Sequence, residues 1–140
     1  MQWLQQYLKL DEEISALEFE IKNHQLDLTR WQEGGDLFKQ NSIDVVKRNQ
    51  QIVEESIKFL KKILAGKREF KEGLLERINH FKGLDNQILR MKYIEGKTLE
   101  QIATELNFSL SHISKRHAEL TRMDRIAEGF LEEIKRKRRA

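Results

Sequence analysis

The sequence predicts an all-α protein in which a coiled-coil helical hairpin, over residues 1–82, precedes a module of short helices, over residues 83–140. Apolar residues of the first part recur at alternating spacings of four and three, the repeat of helices that pack together. The chain contains no proline, the residue that most often interrupts a helix. In the second part, capping and turn residues divide the chain into short helical stretches. Together these observations favour helices throughout.

The composition fits long, solvated helices better than a thick globular core, because 35% of the residues are charged and only 8% are aromatic. Cysteine is absent, which excludes disulfides and thiolate chemistry. The first residues lack the basic and apolar regions of a signal peptide, and no stretch approaches the ~20 apolar residues of a membrane span. We therefore expect a soluble, intracellular protein.

The formal net charge of +3 comes entirely from residues 83–140, which contain 12 Lys and Arg against 9 Asp and Glu. Residues 1–82 contain 14 of each kind. An anionic partner would therefore meet the second part of the chain. The basic run at 135–139 is enough to create this asymmetry. It either contacts phosphates nonspecifically or is a solvated, frayed terminus.

The first helix is predicted from a stripe that holds its register over four heptads and contains one residue that is not apolar, His24. A sustained spacing of 3.5 residues predicts a helix that packs along this stripe against another helix. The turn residues Gly34 and Gly35 then end the helix. The stripe consists of Trp3, Tyr7, Leu10, Ile14, Leu17, Ile21, His24, Leu28 and Trp31.

The second helix is expected to begin near Ser42 or Asp44 and to be one long helix with a soft joint near Gly66, or else two helices. Lys67 and Lys71 interrupt its stripe, which consists of Val46, Val53, Ile57, Leu60, Leu64, Leu74, Ile78 and Phe81. A short loop between the helices predicts an antiparallel hairpin. Apolar surface would remain on a single hairpin, so we expect a homo-oligomer formed through the coiled coil, with the first stripe as its contact.

The module begins with a predicted helix over residues 84–96, with Asp85 as its cap and Gly96 in the left-handed conformation at its end. Thr98 and Gln101 form a capping box for the next helix. The buried face of that helix has the spacing i, i+3, i+4 and i+7. Its members are Leu99, Ile102, Ala103 and Leu106.

A sharp turn and a third helix complete the pattern. Asn107 tolerates positive φ at the turn, and Ser109 is a good N-cap for a helix from Leu110, which Ile113 anchors to the other two. A small residue, Ala103, lets the second and third helices cross closely. This arrangement is typical of a helix-turn-helix whose third helix enters the major groove of double-stranded DNA. Similar short helices also occur in bundles that do not bind DNA.

The residues expected to bind DNA lie on and after the start of the third helix. Serine, histidine and lysine side chains there can contact base edges, whereas the arginines further along are expected to meet phosphates. The predicted site residues are Ser109, Ser111, His112, Ser114, Lys115, Arg116, Arg122 and Arg125. Beyond them, Met123, Ala127, Phe130 and Ile134 keep the four-three spacing, so either the third helix continues or a further helix begins at Asp124.

The segment from Tyr93 to Ser109 (YIEGKTLEQIATELNFS) resembles region four of bacterial sigma factors, which reads a promoter element. The plan of a coiled coil followed by Tyr-Ile-Glu-Gly-Lys-Thr is similar to a family of region-four-like late-gene regulators encoded by phages and prophages of Gram-positive bacteria. The detailed match covers about forty residues of the chain. The resemblance implies a regulator in the bacterial cytoplasm that activates transcription with host RNA polymerase or its sigma factor.

The third helix departs from the sigma pattern. Sigma factors carry several arginines and glutamates there, whereas this chain has Leu110, Ser111, His112 and Ser114. Arg116 stands where the resemblance implies an apolar inward residue. Either its aliphatic stem lies along the core while the guanidinium reaches a phosphate, or the helix is rotated and His117 turns inward.

Two other interpretations fit the same pattern. One is a DNA-packaging protein similar to a small terminase subunit, and the other is a scaffold or inhibitor that binds polymerase and never meets DNA. An enzyme is not expected, because the sequence has no thiol, no glycine-rich phosphate loop and no carboxylate cluster beside a histidine. We expect no cofactor and no metal.

Overall fold

The computed structural model describes residues 1–139, which form an all-α protein without strands in that range. The helices, in chain order, are α1 Gln2–Gln5, α2 Tyr7–Trp31, α3 Asp36–Gln40, α4 Ile43–Asn79, α5 Gly83–Leu89 with a π-helical continuation Arg90–Ile94, α6 Leu99–Leu106 and α7 Leu110–Arg139. The predicted fold class is confirmed. None of the described helices is long and apolar enough to cross a membrane.

By spatial contact the chain forms two compact units. One unit is Lys9–Glu72, and the other combines Met1–Leu8 with the chain from Gly73 onward. The boundary predicted from the sequence instead lies between residues 82 and 83. The second unit therefore contains the predicted module together with residues 1–8 and 73–82.

The unit Lys9–Glu72 is an antiparallel helical hairpin of α2 and α4. Three ion pairs join the helices, Lys67 to Glu13 at 2.7 Å, Arg68 to Glu18 at 2.9 Å and Lys71 to Asp11 at 2.6 Å. The two lysines that interrupt the apolar stripe of α4 thus face acidic residues of α2. Their stems can cover the seam while the ammonium groups reach the carboxylates.

The parts of the predicted stripes that lie between residues 9 and 72 form the seam of this hairpin. Leu10, Ile14 and Ile21 of α2 are buried, as are Val53, Ile57 and Leu64 of α4. Within this unit the first stripe is therefore covered by the chain itself. A second copy of the protein would have to use other surfaces.

The turn of the hairpin is more structured than the sequence predicts, because it contains the five-residue helix α3. Gly34 has a φ of +92°, and a Cβ at Gly35 would collide with the backbone carbonyls of Thr29 and Arg30. Both glycines are therefore required by the backbone path. Arg30 also holds Asp36 through two hydrogen bonds of 3.0 and 2.9 Å.

Two of the alternatives left open by the sequence are resolved. The second helix is continuous through Gly66, and α7 is continuous from Leu110 to Arg139, with no new helix at Asp124. The first helix is interrupted only at Gln6, whose backbone keeps a right-handed helical conformation (φ −81°, ψ −9°).

Two apolar clusters hold the other unit together. The first combines Leu4 and Ile78 with Leu89, Tyr93 and Leu120, and Trp3 and Phe81 pack against it. The second consists of Ile88, Met91, Ile102, Ala103 and Ile113. Helix α5 and its π-helical continuation supply residues to both clusters, so this segment fixes α6 and α7 against the rest of the unit.

Candidate nucleic-acid interface

The turn between α6 and α7 has the geometry that the sequence predicts. Thr98 and Gln101 form a reciprocal capping box, with Thr98 Oγ1 accepting from the Gln101 amide at 3.2 Å and Gln101 Oε1 accepting from the Thr98 amide at 2.9 Å. Asn107 ends α6 with a φ of 59° and a ψ of 38°, the left-handed conformation. Gly96, before the box, also has positive φ, at 72°.

The start of α7 is fixed by local contacts of two predicted site residues. Ser109 Oγ accepts a hydrogen bond from the His112 amide at 3.1 Å, which makes Ser109 the N-cap. The His112 ring stacks on Phe108 with ring centroids 5.1 Å apart. Ile113 is fully buried against Ile102 and Ala103. The N-terminal turn of α7 is therefore a rigid element of the module.

A polar face remains exposed on this rigid turn. Ser111, His112 and Lys115 are exposed and Ser114 is half-buried. Among residues 1–139, neither Lys115 nor Arg125 forms an ion pair, and Arg125 is also exposed. These two cations are therefore available to a phosphate or a base.

The other two predicted arginines already have partners in the chain. Arg116 binds both carboxylate oxygens of Asp85, with Nε and Nη2 donating at 2.5 and 2.8 Å. Arg122 binds Glu119 in the same bidentate way, at 3.1 and 2.5 Å. The carboxylates raise the pKa of both guanidinium groups. A phosphate would have to compete with these pairs.

The predicted role of Asp85 as the cap of α5 is wrong. The helix begins at Gly83 with Lys82 at the N-cap position, and no side chain caps it. Asp85 lies in the first turn, where its carboxylate instead receives Arg116 from α7. The sequence gives only a weak signal for this pair, because the two residues are 31 positions apart.

His117 does turn inward, beside the paired Arg116. Its Nε2 lies 2.8 Å from the Tyr93 hydroxyl, and the two rings stack at a centroid distance of 6.0 Å. Burial lowers the pKa of His117, and the charges of Lys92 and the Met1 amino group lower it further. Burial likewise raises the pKa of Tyr93, with a smaller contribution from Asp124. The Tyr93–His117 pair therefore helps to hold α7 in place and does not belong to the exposed face of that helix.

A third polar contact anchors α7 further along. Asp124 accepts a hydrogen bond from Trp3 Nε1 at 2.9 Å, and the Arg77 guanidinium lies over the Trp3 ring at 3.9 Å from its centroid. The heptad stripe predicts a coiled-coil core position for Trp3. Trp3 is half-buried in the first apolar cluster, where it fixes the middle of α7.

Comparison with known families agrees with this geometry. Residues 83–119 match the family model described as Sigma-70, region 4. This part of the chain is similar to sigma region four, and in the structure α6 and α7 have the helix-turn-helix arrangement. The chain matches no curated protein and no solved structure.

Proposed function

We propose that the protein is a sequence-specific regulator of transcription that binds double-stranded DNA through α7. The observation that carries this proposal is the exposed polar start of α7 within a segment that matches sigma region four. In helix-turn-helix proteins the N-terminal residues of the second helix of the motif contact base edges in the major groove. Here those residues are Ser111, His112, Ser114 and Lys115.

The exposed side chains divide into two proposed roles. Serine and histidine can donate to or accept from base edges, and Lys115 can reach a guanine or a phosphate. Arg125, with no partner in the described chain, is assigned to the phosphate backbone, as is Arg122 once it leaves Glu119. Arg116 contributes mainly by holding α7 against α5 and meets a phosphate only if its bond to Asp85 breaks.

The finer assignment is a phage- or prophage-encoded activator that works with host RNA polymerase or its sigma factor in the cytoplasm of a Gram-positive bacterium. The resemblance of Tyr93–Ser109 and the preceding coiled coil supports it. In this assignment the hairpin assembles the protein into a homo-oligomer. Linking two modest DNA sites raises affinity through effective concentration when both can engage.

The test begins with selection of a preferred duplex from random sequence by the full-length protein. Titrations of the selected and random duplexes then give an operator-to-random affinity ratio. Ser114→Ala and Lys115→Ala should each reduce this ratio by an amount equivalent to ~1–3 kcal/mol for a lost base contact. Arg125→Ala is the matched control and should weaken both duplexes alike.

Three results would contradict the proposal in different ways. An unchanged ratio in both variants would remove α7 as the recognition helix. Absence of DNA binding at low salt would favour a scaffold or inhibitor that binds polymerase. Ring-sized oligomers that select DNA near packaging genes would favour a packaging protein.

A further inference from the structure

A second apolar stripe runs along α4, beside the one that forms the hairpin seam. Each of its members directly precedes a seam position, so the stripe lies on the neighbouring flank of the helix. The stripe has the four-three spacing of a coiled-coil seam over about 27 Å of helix. Its positions are Ile52, Ser56, Phe59, Ile63, Gly66 and Phe70.

This stripe is largely uncovered. Ile52, Phe59 and Phe70 are 53%, 65% and 50% exposed, and Ile63 is half-buried. With aromatic side chains of about 150–250 Å² each, the exposed parts amount to roughly 300 Å² of apolar surface per chain. An area of about 300 Å² is comparable to the largest apolar patch of a typical monomer, and such patches often have a function.

The stripe is symmetric about Lys61 in residue size. Positions at equal distances before and after Lys61 carry residues of similar size. In an antiparallel arrangement of two copies, Ile52 would face Phe70 and Phe59 would face Ile63. The two small members, Ser56 and Gly66, would face each other. Large residues thus meet large ones and small meet small, as a twofold contact between identical surfaces requires. A different partner protein would impose no such symmetry.

We propose that a second copy of this chain packs antiparallel on α4 through this stripe, giving a twofold homodimer. The stripes of two copies supply roughly 600 Å² of apolar surface. The stems of the flanking lysines and glutamates bring the total toward the ~1,000 Å² expected of a specific interface. This inference deepens the self-association in the proposed function, since it assigns the surface that the covered hairpin seam cannot supply.

The first test measures the mass of the full-length protein by sedimentation. Phe59→Asp should weaken dimerisation at least tenfold, because it places a carboxylate at the centre of the contact. Phe19→Asp is the matched control, since Phe19 is 63% exposed on α2 of the same unit but lies outside the stripe. Circular dichroism shows whether each variant keeps its helices.

The second test uses the absence of cysteine from the chain. Copies carrying Ser56→Cys and copies carrying Gly66→Cys should form a disulfide with each other when mixed under mild oxidation. Neither variant should crosslink efficiently alone, because antiparallel pairing brings position 56 of one copy to position 66 of the other. A Cβ at Gly66 meets no neighbouring atom within 4 Å, so the substitution leaves the fold intact.

The outcomes separate the inference from the proposed function. A monomeric wild type, a folded Phe59→Asp that still dimerises, or crosslinking of Ser56→Cys alone would overturn the antiparallel contact. A dimer that follows the predicted pattern but binds no DNA would support the contact and contradict the regulator. DNA titrations on the same samples therefore complete the test.

Discussion

The Asp85 carboxylate accepts two hydrogen bonds from the Arg116 guanidinium, which joins α7 to α5 at the start of the module. The pair is half-buried, with 23% of the Asp85 side chain and 37% of the Arg116 side chain exposed. An arginine on the exposed side of a DNA-binding helix is readily taken for a phosphate contact. In this protein the Arg116 side chain instead binds Asp85 and stabilises the packing of α7 on α5.

Arg116→Ala should lower the free energy of unfolding by about 1–2 kcal/mol, a value between those of exposed and buried pairs whose partner is removed. Denaturant unfolding of the full-length protein measures it. Arg122→Ala is the matched control, because its pair with Glu119 is bidentate but more exposed, with side chains 62% and 40% exposed. Equal losses in the two variants would show that the Arg116 pair has no special role.

The salt dependence of DNA binding should separate the same arginines. Arg125→Ala is expected to flatten the slope of log affinity against log salt by about one unit, since one phosphate contact is lost. Arg116→Ala should leave the slope nearly unchanged, because Asp85 already neutralises that guanidinium. Titration of a random duplex at several salt concentrations measures both slopes. A reduced slope in Arg116→Ala alone would reverse the two assignments.

Stability should fall as the pH drops below about 6.5, the ordinary pKa of histidine, partly because of His117. Burial lowers the pKa of His117 in the folded state, so the unfolded chain binds the proton more readily and acid favours unfolding. Above that pH both states are neutral and the effect vanishes. Besides Tyr93, the groups that act on this site are Lys92, the Met1 amino group and Asp124.

The His117 contribution can be isolated by comparing unfolding of the wild type and His117→Gln between pH 5 and 8. The stability of the variant should depend less on pH in the acid part of this range. Carboxylates titrate in both proteins and cancel in the comparison. Parallel curves would mean that His117 takes up its proton equally well in both states.

Ile78→Ala should destabilise the module of residues 83–140 by about 2–5 kcal/mol, although Ile78 precedes residue 83. Ile78 is fully buried in the cluster that includes Leu89, Tyr93 and Leu120. Thermal unfolding and DNA affinity of the full-length protein measure the effect. Ile126→Ala is the control, since Ile126 is 48% exposed on α7. Similar behaviour of the two variants would show that the module does not depend on the end of α4.

Local features of the module were predictable from sequence because they depend on neighbouring residues. The capping box at Thr98, the left-handed Asn107 and the Ser109 cap each involve positions within three or four residues of one another. The two long helices followed from their periodicity, and their antiparallel arrangement followed from the short loop between them. Caps, turns and helical periodicity can be predicted from the local sequence without information about distant contacts.

The contacts that the sequence did not reveal join residues far apart in the chain. Asp85 and Arg116 are 31 positions apart, and Trp3 and Asp124 are 121 apart. Either acidic residue could equally have been a cap or a solvated charge. Tertiary packing determines which role each acidic residue has, and the local sequence does not predict it.

The π-helical turn at Arg90–Ile94 sets the angle between two buried side chains, Met91 and Tyr93. A π turn contains one residue more than an α turn, so each residue of this turn rotates the chain by a smaller angle than in an α-helix. Met91 and Tyr93 are both buried here, each in a different apolar cluster. Removing one residue from this turn would change the angle between the two side chains and shift at least one of them away from its cluster. A single-residue deletion at this point would therefore be far more damaging than most substitutions, as would an insertion.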